Sequence, residues 1–155
     1  MLSPISYDIC RGGIQLENVS IAVVGCGTIS QLNVPGYINH PRCKVSALCD
    51  PIPERAEQRA KDWGIEASIY TDIEEVLNDN SIDAIELLTP THLHTEQSIS
   101  ALQAGKHVSC QKPISNNLSE ATQICEAAEN SSALFRVTEN FIYYPPLVKA
   151  KELLD

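Results

Sequence analysis

The sequence predicts a doubly wound α/β domain, a parallel sheet of about six strands with helices on both faces. Three observations carry that expectation. Short runs rich in Val, Ile, Leu and Ala recur along the chain. Helix-compatible segments with recognisable start and stop signals separate them. Residues with special chemistry collect where the apolar runs end. Strands that alternate with helices make parallel pairs, and right-handed crossovers then bring all their C-terminal ends to one edge, where ligands bind in open sheets.

The elements follow in order. Residues 1–18 mix Pro4, Gly12, Gly13 and charges without periodicity and read as a leader. Val19–Val24 is a short apolar run rich in β-branched residues, as suits a strand buried on both faces. A helix is predicted over about Thr28–Asn39, interrupted at Pro35, and a second strand over Lys44–Cys49, stopped by Asp50-Pro51. Pro53–Trp63 has Pro at its start and Gly64 just beyond its end, the usual helix asymmetry. Ala67–Tyr70 is a weak strand, and Thr71 is the expected cap of a helix over Asp72–Asn78, with Glu74 as its capping-box partner. Strand Asp83–Leu88 ends at Thr89-Pro90, and helix His92–Ala104 closes at Gly105. Strand Lys106–Cys110 ends at Gln111-Lys112-Pro113. A helix over Leu118–Asn130, capped by Ser115 or Asn117, leads to a sixth strand, Ala133–Thr138, and a last helix opens at Pro145.

Composition narrows the partners. Of the 155 residues, 20 are Asp or Glu and 11 are Lys or Arg, a formal charge of −9. An acidic surface with no basic stripe repels nucleic-acid backbones and anionic lipid, so neither is expected as a partner. No apolar run is long enough to span a bilayer. The six cysteines form no C-x-x-C pair, and Cys26, Cys49 and Cys110 sit in or beside apolar runs. Free buried thiols suit a reducing compartment, and cytoplasmic residence is the expectation. No His/Cys/Asp set has metal-ligand spacing.

Chemistry enters at the strand ends. Gly25-Cys26-Gly27-Thr28-Ile29-Ser30 is G-x-G-x-x-S after the first strand. Gly25 suits the tight turn, Gly27 lets backbone approach a diphosphate, and Thr28 and Ile29 offer helix-terminal N–H groups to it. Ser30 stands where a third glycine or alanine is usual. Asp50 lies 25 residues after Gly25, near the spacing of a carboxylate that accepts from an adenosine ribose. It disfavours a 2′-phosphate, so NAD is expected over NADP. Asp50 also suits a helix cap. Arg55 is placed either at the adenine and phosphate end or in solvent.

Further along, Thr89-Pro90-Thr91-His92-Leu93-His94, then Ala104-Gly105-Lys106-His107-Val108, then Gln111-Lys112-Pro113 stand in that order. Together they resemble the glucose–fructose oxidoreductase, inositol dehydrogenase and rhizopine-catabolism (Gfo/Idh/MocA) family, with its TP-N-x-x-H segment, AGKHV run and E-K-P tripeptide. The resemblance runs from about Val19 to the end and includes Val137-Thr138-Glu139-Asn140-Phe141. It implies an NAD(P)-binding Rossmann domain over 19–144. Residues 145–155 then begin the connection to a second domain, outside this sequence, that holds a sugar or polyol substrate and makes most oligomer contacts. It also implies hydride transfer between the nicotinamide and a hydroxyl or carbonyl carbon. Lys112 matches the lysine beside the reacting oxygen, the one catalytic candidate here. Thr89, Pro90, His94, Gln111 and Asn140 match positions near the cofactor, and His94 equally suits a helix-start histidine satisfied by backbone. Gln111 replaces the glutamate, Thr91 an asparagine, and Ile142 an arginine. Without its second domain the chain is expected to bind NAD(H) and turn over little. The competing expectation is a non-catalytic dinucleotide sensor of the same fold; a third, an S-adenosylmethionine or nucleoside binder, has no use for a lysine at that strand end.

Overall fold

A computed structural model describes residues 18–139 and 144–154. The expected leader up to Glu17, and the candidate residue Asn140, lie outside the described residues. The elements are β1 (Val19–Val24), α1 (Ser30–Ile38), β2 (Cys43–Cys49), α2 (Pro53–Trp63), β3 (Ser68–Tyr70) and α3 (Ile73–Asn78), followed by β4 (Ala84–Leu87), α4 (Thr91–Gln103), β5 (His107–Gln111), α5 (Leu118–Glu129), β6 (Phe135–Thr138) and α6 (Pro145–Leu154). The sheet order is β3-β2-β1-β4-β5-β6, and every pair is parallel. The winding reverses between β1 and β4, which places a crevice at the ends of those two strands.

Each strand alternates its side chains between two cores, as the period of two requires. On one face Ala22, Val24, Ile85, Leu87, Val108 and Cys110 pack with α3, α4 and α5 residues such as Val76, Leu102 and Ala128. On the other, Val23, Val45 and Leu48 pack with Val34 of α1 and Ala56 of α2. The second core stops at β4, where Glu86 is buried. Tyr37 Oη donates to its carboxylate at 2.6 Å and Asn33 Nδ2 at 3.2 Å. This carboxylate ties α1 to the middle of the sheet. Burial, then the Glu86 charge, pushes the Tyr37 phenol well above its usual range.

Two capping expectations are corrected or resolved. Asp72, not Thr71, caps α3, with its Oδ1 accepting from Glu74 N–H at 3.0 Å. Asp72 has extended backbone beside the first helical residue, and its charge suits the helix's positive end. Asn117 rather than Ser115 caps α5, accepting from Glu120 N–H at 3.0 Å. The first helix begins at Ser30, two residues later than its sequence suggests, which leaves Thr28 and Ile29 in the turn.

Cys26, Cys49 and Cys110 are free and buried. Burial raises their thiols to about 12, 12 and 11, with the Asp50 charge adding to the first. A thiolate is the nucleophile, so these three are expected to resist iodoacetamide at pH 8 in the folded chain and to react fully in urea. Peptide mapping of the two samples checks this; native-state labelling at any of the three contradicts it.

Candidate functional site

The crevice is built on the turn after β1. Gly25 N–H donates to Cys49 O at 2.8 Å, and its φ is +99°. A Cβ there would lie 2.8 Å from the carbonyl carbon and oxygen of Leu88, so the absence of a side chain is what lets β1 turn beneath the end of β4. Gly27 differs. Its φ is not positive, and a Cβ would meet no protein atom within 4 Å. The fold leaves that space open. Ser30 is fully buried and its Oγ donates to Gly27 O at 2.7 Å, so the hydroxyl closes the turn from within.

Helix α1 starts without a side-chain cap and without an acid in its first turn. The N–H groups of Gly27, Thr28 and Ile29 find no acceptor among the described residues. Three unclaimed amides at the positive end of a helix, facing open space, form a cradle for an anion. A diphosphate has the charge and the acceptors to satisfy them.

Asp50, at the end of β2, is buried. Its Oδ2 accepts from Cys26 N–H at 3.0 Å and its Oδ1 from Ile52 N–H at 3.0 Å. Arg55 Nη1 stands 3.8 Å from Oδ1, with that side chain 57% exposed. The helix-cap reading of Asp50 does not hold, since α2 starts after Ile52 with no side-chain cap; the carboxylate instead holds the Ile52 amide ahead of the helix and braces the turn after β1. A cleft of about 630 Å³ joins Gly25, Gly27, Thr28 and Ile29 to Asp50, Arg55, Thr89 and Pro90. It also takes in Thr71, Ile73, Leu88, Leu93 and Gln97, which sequence reasoning missed. The available signal was the i, i+4 spacing of Leu93 and Gln97 on one face of a helix that starts at the crevice.

Gln111, Lys112 and Pro113 end β5 on the same edge of the sheet. With β4 between them, β1 and β5 lie about 10 Å apart. The cradle and Lys112 therefore lie on one edge of the sheet, although the cleft itself takes in none of Gln111, Lys112 or Pro113. Lys112 is exposed, and the Lys112–Pro113 bond is cis. Gln111 Oε1 accepts from Lys112 N–H at 2.9 Å, so the side chain that replaces the glutamate folds onto the next backbone amide. His94 is buried. Its Nδ1 lies 2.8 Å from Pro113 O and its Nε2 2.8 Å from Thr89 O. It bridges the β4 and β5 turns and is fully occupied by backbone. His92 is exposed. Lys106 is buried too, donating through Nζ to Asp79 O at 2.7 Å and Ile82 O at 2.8 Å. His107 Nδ1 accepts from Leu134 N–H at 2.8 Å. Those two members of the AGKHV run are thus structural. Among the described residues, no three His, Cys, Asp or Glu side chains gather as a metal site, and no helix is long and apolar enough to cross a membrane.

Known proteins agree with this geometry. Residues 19–139 match the GFO/IDH/MocA oxidoreductase family, NAD-binding Rossmann fold. The chain is 31% identical over 140 residues to a scyllo-inositol 2-dehydrogenase (NAD(+)) of Bacillus subtilis, covering 90% of this chain and 41% of that one. It is 26% identical over 148 residues to a levoglucosan dehydrogenase of Pseudarthrobacter phenanthrenivorans, covering 90% and 38%. Among solved structures, a 3-ketoreductase from Actinomadura kijaniata in complex with TDP-benzene and NADP, in an open conformation, superposes with a TM-score of 0.81 at 25% identity, covering 89% of this chain and 43% of that one. The chain thus spans about two-fifths of the length of these relatives. With its switch-point crevice, its amide cradle and its family match across 19–139, this chain belongs to the Gfo/Idh/MocA oxidoreductases as an NAD-binding Rossmann domain.

Proposed function

We propose that this chain is the cofactor-holding part of an enzyme that moves hydride between NAD and a hydroxyl or carbonyl carbon of a sugar or polyol. The observation that carries the reading is the row of unclaimed amides at Gly27, Thr28 and Ile29, beside a buried Asp50 and on the same sheet edge as Lys112. The cradle holds the diphosphate, and Thr89 and Pro90 wall its far side. Asp50 accepts from the adenosine ribose with the lone pairs that Cys26 and Ile52 leave, and disfavours a 2′-phosphate, so NAD is preferred over NADP. Arg55 lies at the adenosine end. NAD, when bound, accepts or returns the hydride. Lys112 then stabilises the negative charge developing on the substrate oxygen and exchanges its proton. Gln111 lies beside the nicotinamide ribose. His94 serves the cofactor by fixing the β4 turn against the β5 turn, and Asn140 is assigned to the cofactor by its match to the family position. Residues 19–144 form this domain, 145–155 lead towards a substrate-holding domain that also carries oligomer contacts, and the protein resides in the cytoplasm.

NADH fluorescence titration tests the reading. The chain is expected to saturate with NADH, and Gly27→Ala to weaken binding about tenfold or more, since each charge-assisted hydrogen bond is worth roughly 1.5–3 kcal/mol. Its melting temperature is expected to be unchanged. Asp50→Ala is expected to move the NADPH-to-NADH affinity ratio towards NADPH by about tenfold. No NADH binding by the unaltered chain would sink the proposal; an unmoved ratio would remove Asp50 from its role.

One observation favours a second reading. Gln111 brings no charge to hold a proton on Lys112, and its carbonyl is committed to backbone. A non-catalytic dinucleotide sensor fits that detail. Attaching a relative's second domain and assaying turnover separates the two.

A further inference from the structure

Gln97 sits half-buried on the second turn of α4, in the wall of the cleft. Its Oε1 accepts from Thr89 Oγ1 at 2.6 Å. Its amide nitrogen has no acceptor among the described residues. One end of the amide is therefore pinned, and two N–H donors remain. The cleft also shows which part of a ligand those donors meet. It takes in Asp50, Ile52, Arg55, Thr71 and Ile73, and none of Gln111, Lys112 or Pro113. Gln97 thus shares its wall with the ribose-binding carboxylate and lies away from the redox end.

We propose that Gln97 is a specificity-determining residue of the adenosine half, donating from its amide to a ring nitrogen of the base. The proposal rests on the dinucleotide reading above. Adenine presents acceptor nitrogens around its ring, and Leu93, Ile73 and Ile52 supply apolar surface in the same cleft. Thr89 has a part in this. By donating to Oε1 it sets the amide orientation, so the hydroxyl is a positioning group for a donor it does not itself supply. Apolar walls with one oriented amide recognise a base by shape and by a hydrogen-bond pattern, whereas apolar walls alone would recognise shape only.

The test uses the full chain and three probes: NADH, ADP-ribose and reduced nicotinamide mononucleotide. Two variants are compared. Gln97→Glu keeps the acceptor for Thr89 and removes the donors, and Gln97→Met keeps the length and removes all polarity. Both are first checked by thermal melting, and one that melts like the parent suffices. The expected result is a loss of about three- to tenfold for NADH and the same loss for ADP-ribose, the size of one net hydrogen bond, with mononucleotide affinity unchanged. Parent-like affinity for NADH and ADP-ribose in a folded variant overturns the proposal, as does an equal loss for the mononucleotide. Failure of the unaltered chain to bind ADP-ribose or NADH is a different outcome, because it overturns the dinucleotide reading and this proposal with it.

Discussion

Gly25→Ala is expected to cost the domain about 3–5 kcal/mol and to lower its melting temperature by roughly 10 °C. Two costs add. An alanine at φ +99° is strained by its own backbone, an effect of about 1–2 kcal/mol. Its Cβ would also stand 2.8 Å from the Leu88 carbonyl carbon and oxygen and 3.0 Å from Thr89 N. These are backbone atoms of the turn that leaves β4, so no rotamer change relieves the clash. Relief requires β1 and β4 to separate, and that breaks the Leu88 N–H to Val24 O bond of 2.8 Å. The neighbouring Gly27→Ala is the control, since its Cβ meets nothing. Chemical denaturation of both variants reads the difference directly. Equal stability for the two would mean that the β1 turn yields where the geometry says it cannot.

Lys106→Met is expected to cost about 3 kcal/mol without altering NADH affinity. The lysine is 6% exposed and donates to two carbonyls on the segment between α3 and β4. Methionine fills the same channel but donates nothing, which leaves the Ile82 carbonyl with no replacement donor in a buried site. The cation also supplies positive charge against Asp79, whose carboxyl is held low mainly by Ser81 and Tyr70, with Lys106 a smaller contribution. Urea unfolding checks the cost, and a change below about 0.5 kcal/mol would show the ammonium to be dispensable.

The fold was legible because β-branched strands buried on both faces leave unbroken apolar runs, and because Gly and Pro mark their ends. Boundaries moved by a residue or two, and β3 was faint because it is three residues long, with Ser68 exposed and Ile69 and Tyr70 only half-buried. The cradle and Asp50 could be read from spacing, since a strand end fixes where the next few residues go. Other parts could not. That Lys106 is buried and His94 has both ring nitrogens on backbone depends on what lies across the sheet, which no local pattern encodes. Asp83–Leu88 reads as a buried strand, yet only the packed α1 shows how Glu86 is satisfied. Gln97 escaped because a polar residue on a helix looks like surface until a cleft opens beside it.

The two oxygens of Asp50 each hold a different loop, the turn after β1 and the one that leads into α2. If Asp50 also holds the adenosine ribose, as proposed, the choice of cofactor and the shape of the binding groove are vested in the same atoms. A lineage, or an engineer, seeking to switch to the phosphorylated cofactor cannot begin by discarding this acid. New acceptors for the Cys26 and Ile52 amides have to come first, and the route between the two preferences runs through an ordered pair of substitutions.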